Sequence, residues 1–190
     1  MSVTMTPLGS CLVGRRHYFI RDKLAVQKGE TVLVNGASGA VGTNAVQLAK
    51  YFGANVTGVT STSNEKLVRI IGVDRVIDYT KQDVATSEEK FDVVLDAVGT
   101  ISPHAAKSLL TSRGRAGLMV ATLWEGITAR KPVVTGSATE KKEDIEFLLK
   151  LTEEEKIKVI IDKVYGFDDI VAAHHHVDSG KKVGNVLIRL

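Results

Sequence analysis

Three glycines spaced three apart, Gly36, Gly39 and Gly42, lie in the stretch VLVNGASGAVGTNAVQLAK at residues 32–50. They stand between an apolar run and an apolar-striped segment, where a strand would turn into a helix. That spacing suits a dinucleotide pyrophosphate. The first glycine permits an unusual backbone turn, the middle one lets a phosphate approach the main chain, and the third lets the helix press onto the sheet. The helix N-terminus adds N–H groups and partial positive charge. Ser38 adds a hydroxyl donor, and Ala40 and Val41 complete the turn. A glycine triplet alone also serves plain close packing, so the weight falls on its strand–turn–helix setting.

A second polar feature follows the next apolar run, ANVTGVT at 54–60, which leads into Ser61-Thr62-Ser63-Asn64-Glu65-Lys66. Sites that prefer NAD end this strand with a carboxylate for the ribose hydroxyls. Here the strand ends at Thr60, with no carboxylate at its tip. The hydroxyls of Thr60, Ser61 and Thr62 with the Lys66 ammonium suit an adenosine 2′-phosphate, so the expected cofactor is NADPH. The same loop also reads as the cap of the following helix, a role open to Ser63; both readings stand.

Other chemistry-bearing residues carry less. His174, His175 and His176 are consecutive, and on a helix such neighbours point about 100° apart, so they cannot converge on one ion and read as a solvated face. No metal site is expected. Asp96 reads as a strand-end residue that supports the backbone, and His104 has no visible partner. Tyr18, Tyr51, Tyr79 and Tyr165 all lack a lysine four residues later, which argues against the short-chain dehydrogenase pattern. No catalytic residue is assigned.

The elements that must position these residues alternate. Apolar runs at 31–36, 54–60, 75–79, 91–99, 115–122 and 131–136 predict strands. Val41, Ala45, Leu48, Ala49 and Phe52 mark an amphipathic helix with Gly53 as its cap. Residues 63–72 predict a second helix closed by Gly72, and 102–112 a third, with Ser102 capping and Pro103 at its first position. A charged helix is expected over 139–158, with Ile145, Leu148 and Leu149 on one face. A strand at 159–167, a short helix at 168–178 and a strand at 184–190 close the chain. Repeated strand–helix–strand units imply an α/β fold with a doubly wound parallel sheet, a Rossmann arrangement.

With 190 residues, 44% hydrophobic and 25% charged, the composition is that of an ordinary globular domain. A net charge of +3 with interspersed signs gives no concentrated basic face for nucleic acid. No apolar run approaches the ~20 residues that span a bilayer, and Arg15 and Arg16 interrupt any signal-peptide pattern. With Cys11 as the single cysteine, the expected setting is soluble and cytoplasmic.

Several separate motifs occur together and in order: KGETVLVNGASGAVGTNAVQLAKYFGANVTGV, GVDRVIDYTKQD, FDVVLDAVG and VDSGKKVGNVLI. They resemble the medium-chain dehydrogenase/reductase superfamily, and within it the zinc-independent quinone oxidoreductases related to zeta-crystallin. The resemblance covers most of residues 23–190. It implies that Ser38, Gly39, Ala40 and Val41 hold the pyrophosphate and that Thr60, Ser61, Thr62 and Lys66 meet the 2′-phosphate. By the same resemblance Tyr79 lies beside the adenosine, although a half-buried packing role is equally open. Ala97, Val98 and Gly99 pass near the adenine side and ribose, Ala121 and Thr122 face the nicotinamide, and Asn185 approaches the cofactor.

In that family a whole catalytic domain precedes the nucleotide-binding domain, whereas some thirty residues precede the glycine turn here. The expected organisation is a linker or remnant at 1–28, an NADP(H)-binding domain at 29–155 and a return segment of the catalytic domain at 156–190. Its strands at 159–165 and 185–190 would pair within the missing domain. The expected function is that of an NADPH-dependent reductase of a small quinone or enone in truncated form. The alternative is a non-catalytic NADPH-binding module. A homodimer or a completing partner chain is the expected assembly.

Overall fold

The computed structural model describes Ile20, residues 23–120, residues 131–135 and residues 142–190. The expected strand at 115–122, the strand at 131–136 and the helix from 139 therefore run partly outside the described residues, as do Ala121, Thr122 and Cys11.

Six strands form one parallel sheet: β1 (Thr31–Asn35), β2 (Asn55–Thr60), β3 (Arg75–Asp78), β4 (Phe91–Asp96), β5 (Leu110–Leu118) and β6 (Val133–Thr135), in the order β3-β2-β1-β4-β5-β6. β1 pairs with β2 on one side and with β4 on the other. The chain therefore reverses its direction of travel across the sheet between β1 and β4, which opens a crevice at their carboxyl ends.

The continuous apolar runs are explained by burial on both faces. Val32 and Val34 pack into one cluster with Ala45, Leu48 and Ala49 of α1 (Ala40–Tyr51), while Leu33 packs into the opposite cluster with Phe91, Leu109 and Leu118. Each such side chain contributes on the order of 1.5–3 kcal/mol, and together they lock the register of the central strand. Gly53 closes α1 as expected: its N–H bonds to the Lys50 carbonyl, and that of Ala54 to the Ala49 carbonyl. α2 (Glu65–Ile70) ends in the same pair of bonds at Gly72 and Val73.

Two expectations are corrected. The helix at 102–112 stops early: α3 (Pro103–Ser108) keeps the Ser102 cap, whose Oγ accepts the Ala105 N–H at 3.2 Å, but Leu110 already belongs to β5. Leu109 and Leu110 are buried beside Phe91, whose N–H donates to the Leu109 carbonyl, so tertiary burial overrides local helix propensity. In α4 (Lys142–Glu153) the inward face is Asp144, Leu148 and Leu151, while Leu149 turns 42% exposed to solvent. Spacings of four and three keep the inward residues on one stripe, whereas 148 and 149 diverge.

The last strands show a pairing that the sequence does not reveal. β7 (Ile161–Gly166) and β8 (Asn185–Arg189) pair with each other in parallel, joined by α5 (Ile170–Asp178). They thus form a small strand–helix–strand unit of their own, and a parallel bridge from Gly184 to Gly39 ties it to the turn between β1 and α1. The side chain of Gln47 adds a second tie, donating to the Lys158 carbonyl at 2.9 Å and accepting its N–H at 2.7 Å.

Candidate cofactor site at the glycine turn

The turn after β1 is held by its own backbone. Gly36 has φ +78°, and a Cβ there would stand 2.3 Å from Val98 Cγ2. At Gly42 a Cβ would lie 2.0 Å from the Gly36 carbonyl oxygen, so α1 can seat against the turn only without a side chain at that position. Gly39 differs. Its backbone is extended, and an added Cβ would meet only the Gly36 carbonyl at 3.4 Å. The fold requires Gly36 and Gly42, but does not itself require Gly39, which faces the crevice as the cap of α1. No acidic residue occupies the first turn of that helix, so its positive end is not offset locally.

Ser38 is a junction. Its Oγ accepts from Thr60 Oγ1 at 3.0 Å and from Asn64 Nδ2 at 3.3 Å, which leaves its own proton free to donate, and its carbonyl accepts the Gly184 N–H at 2.8 Å. Asp96, fully buried at the end of β4, organises the facing loop. Its Oδ1 accepts from Asn35 Nδ2 (2.9 Å), the Val98 N–H (3.0 Å) and the Gly99 N–H (3.1 Å), and its Oδ2 accepts the Ile101 N–H (2.9 Å). This is the backbone-supporting role read from the sequence. Asn35 also reaches Thr100 Oγ1 at 2.8 Å.

These loops surround a cleft of about 1090 Å³ at the carboxyl ends of β1 to β4. Of the residues expected at a cofactor, Gly36, Ser38, Gly39, Ala40, Val41, Gly42, Ser61, Tyr79, Ala97 and Val98 line it. Tyr79 is 61% exposed and fixed through its N–H to the Thr60 carbonyl. Thr60, Thr62, Lys66, Gly99 and Asn185 do not line the cleft. Thr60 is 1% exposed and its hydroxyl is engaged by Ser38. Lys66 points to solvent from the first turn of α2. Gly99 is held by Asp96. Asn185 donates both its N–H (2.8 Å) and its Nδ2 (3.0 Å) to the Ile160 carbonyl. Ser63 does not cap α2; its hydroxyl meets that of Ser61 at 2.9 Å.

The structure adds residues that the sequence reading missed. Asp78 is the register partner of Thr60 on β3, so a carboxylate does stand beside the tip of β2. It accepts from Thr62 Oγ1, from the Thr80 N–H (3.0 Å) and Thr80 Oγ1 (2.7 Å), and pairs with Lys81 at 3.0 Å. The Thr62 hydroxyl foremost, then Thr80 and Lys81, hold its carboxyl far below the usual range. Lys81, Lys181 and Lys182 line the cleft against one carboxylate, Asp83, giving that wall a cationic bias. A signal for the latter two existed in the SGKK run ahead of the closing GN pair.

The geometry is that of a nucleotide crevice at a sheet switch point, and comparison with known proteins agrees. The family described as zinc-binding dehydrogenase matches residues 71–188. An acryloyl-coenzyme A reductase of Metallosphaera sedula is 37% identical over 188 residues, covering 94% of this chain and 56% of the relative. The chain belongs to the medium-chain dehydrogenase/reductase superfamily. It corresponds to the cofactor-binding domain of that superfamily, whose oxidoreductases use a nicotinamide cofactor. A 2-methylene-furan-3-one reductase of Solanum lycopersicum is 33% identical over 171 residues, covering 88% of this chain and 42% of the relative. The solved quinone oxidoreductase from Coxiella burnetii shares the fold with a TM-score of 0.84 at 22% identity, over 94% of this chain and 58% of that one. The chain thus spans about half the length of the curated relatives it matches.

The residues present fit the nicotinamide dinucleotide of this superfamily: the Gly39 cradle is one that a Cβ would begin to fill, at a helix N-terminus with no acidic neighbour. They do not fit the zinc that the family description carries. Among the described residues no three His, Cys, Asp or Glu side chains are grouped as metal ligands. His174 and His175 are exposed, and His176 turns to Asp162 Oδ2 at 2.6 Å. His104 is exposed as well. No helix among the described residues is long and apolar enough to cross a membrane.

Proposed function

We propose that this chain is the NADPH-binding part of an oxidoreductase that reduces a small, electron-poor acceptor, an enone or a quinone. The observation that carries the reading is the single cleft joining the glycine turn, the hydroxyl loop after β2 and the loop after β4 at the sheet's switch point. Acryloyl and methylene-furanone groups, in the names of two relatives, are both alkenes conjugated to a carbonyl, which supports the acceptor class.

NADPH bound in the cleft would supply a hydride. The chain's own residues bind and orient it. Gly39 and the first turn of α1 receive the pyrophosphate, with the Ser38 hydroxyl donating. Ser61 in the cleft lining meets the 2′-phosphate, with Thr62 and Lys66 reaching it from outside that lining; Tyr79 covers the adenosine, and Val98, backed by Gly99, flanks the ribose. Thr60 acts from behind, fixing Ser38. Asn185 secures the segment that docks on the turn. Hydride delivery needs positioning above all, and the proton that completes the reduction of the enone or quinone comes from solvent. The division at residues 28/29 and 155/156, and a cytoplasmic setting, belong to the same proposal.

A second reading, a binding module that turns over only with further polypeptide from its own or another chain, is favoured by one observation: the chain spans about half of its relatives. A homodimer is the simplest source, and sedimentation of the chain as a monomer at micromolar concentration would remove it. Cofactor fluorescence titration followed by NADPH oxidation with a small quinone and an enone separates the readings. Binding with turnover supports the enzyme, binding without turnover the module, and absence of binding to either nucleotide overturns both.

A further inference from the structure

We propose that Lys81 is a second cation for the 2′-phosphate of NADPH, exchanging Asp78 for the phosphate when the nucleotide binds; this rests on the NADPH reading above. Lys81 lines the cleft, and its side chain is 66% exposed with Nζ 3.0 Å from Asp78 Oδ2. The same carboxylate oxygen accepts the Thr62 hydroxyl. An ammonium and a hydroxyl of the phosphate-facing loop therefore already converge on one anionic oxygen, the arrangement that a phosphate oxygen asks for. Lys66, the cation expected from the sequence, does not line the cleft.

The two partners of the ion pair are not equally fixed. Asp78 is the last residue of β3, and its Oδ1 is held by the Thr80 N–H and hydroxyl. Lys81 has a flexible four-carbon stem and is 66% exposed, whereas the Asp78 side chain is 11% exposed, so the lysine is the partner able to move. A phosphate bearing close to two negative charges outcompetes a carboxylate for it. Asp78 then has a double effect: it presents Lys81 at the cleft wall, and its charge opposes the phosphate, which limits the preference for NADPH over NADH.

The test is titration of the full chain with NADPH and with NADH, at low and high salt, for wild type, Lys81→Ala, Lys81→Arg, Lys66→Ala and Asp78→Asn. Lys81→Ala is expected to weaken NADPH about tenfold, leave NADH within about twofold, and flatten the salt dependence. Lys81→Arg is expected to recover most of the loss, and Asp78→Asn to raise NADPH affinity relative to NADH. Wild-type preference for NADPH with no effect of Lys81→Ala overturns this inference alone. Equal weakening of both nucleotides overturns it too, since that marks a structural role. A wild type that binds neither nucleotide, or binds both alike, overturns the NADPH reading itself and this inference with it.

Discussion

The two ends of the cleft are built on different principles. At the end proposed for the pyrophosphate, between β1 and α1, shape decides: Gly36 and Gly42 admit no side chain because backbone or Val98 occupies the space. At the end proposed for the adenosine, between the loops after β2 and β3, polar groups decide: Thr62, Thr80 and Lys81 all engage the Asp78 carboxylate. The first end is sterically closed at Gly36 and Gly42. The second can be retuned by one charge. Under the proposed function, such a division places binding strength on the first part and cofactor choice on the second.

The strongest challenge to this comparison is Gly42→Ala. A methyl 2.0 Å from the Gly36 carbonyl forces α1 off the turn, and a loss of about 3 kcal/mol or more is expected in urea unfolding. Asp96→Ala comes next, at about 3 kcal/mol, because it strands the N–H groups of Val98, Gly99 and Ile101 and the Asn35 amide beside a small cavity. Gly39→Ala is the sharpest contrast. Its backbone and surroundings admit a Cβ, so only about 0.5–1 kcal/mol of cap stability is at stake. Nucleotide affinity, by contrast, is expected to fall at least tenfold, roughly 1.4 kcal/mol, because the methyl stands where the phosphate approaches. Equal stability losses at 39 and 42 would show that the middle glycine serves packing alone.

The same division explains what the sequence made legible. Steric requirements leave marks in residue type: the three glycines, the unbroken Val32-Leu33-Val34 run and the Ser102-Pro103 start can be read directly, and each element begins where its pattern puts it. Polar partnerships across strands leave no such mark. Asp78 is eighteen residues from Thr60, and only the β2–β3 register sets them side by side, so the loop read as free of carboxylate acquires one. Thr60 has the right type for a phosphate contact, yet the packing of its strand end turns its hydroxyl to Ser38. Likewise β7 and β8 each read as strands, but their mutual pairing depends on α5 folding back between them.

The smallest expected effect tests whether polar pairing far from the cleft behaves as it does at Asp78. Arg115 of β5 grips Glu30 at both oxygens, 2.8 Å each, and also donates to the Leu24 and Ala25 carbonyls, tying the segment before β1 to the sheet. The Arg115 bonds foremost, against partial desolvation and with help from the Gln27 N–H, lower the Glu30 pKa. A lowered folded value means that the pair stabilises the fold fully above the ordinary glutamate range and less as pH falls through the folded value. Glu30→Gln is therefore expected to cost on the order of 1 kcal/mol at pH 7 and progressively less below about pH 4.5, with the two melting curves converging in acid. Both side chains are shielded, at 24% and 22% exposed, and the contact is bidentate, so this pair should resist salt better than that of Asp78 with Lys81, whose ammonium side is 66% exposed. A Glu30→Gln deficit that stays constant from pH 7 down to pH 3 would mean that the glutamate acts through packing and not through its charge.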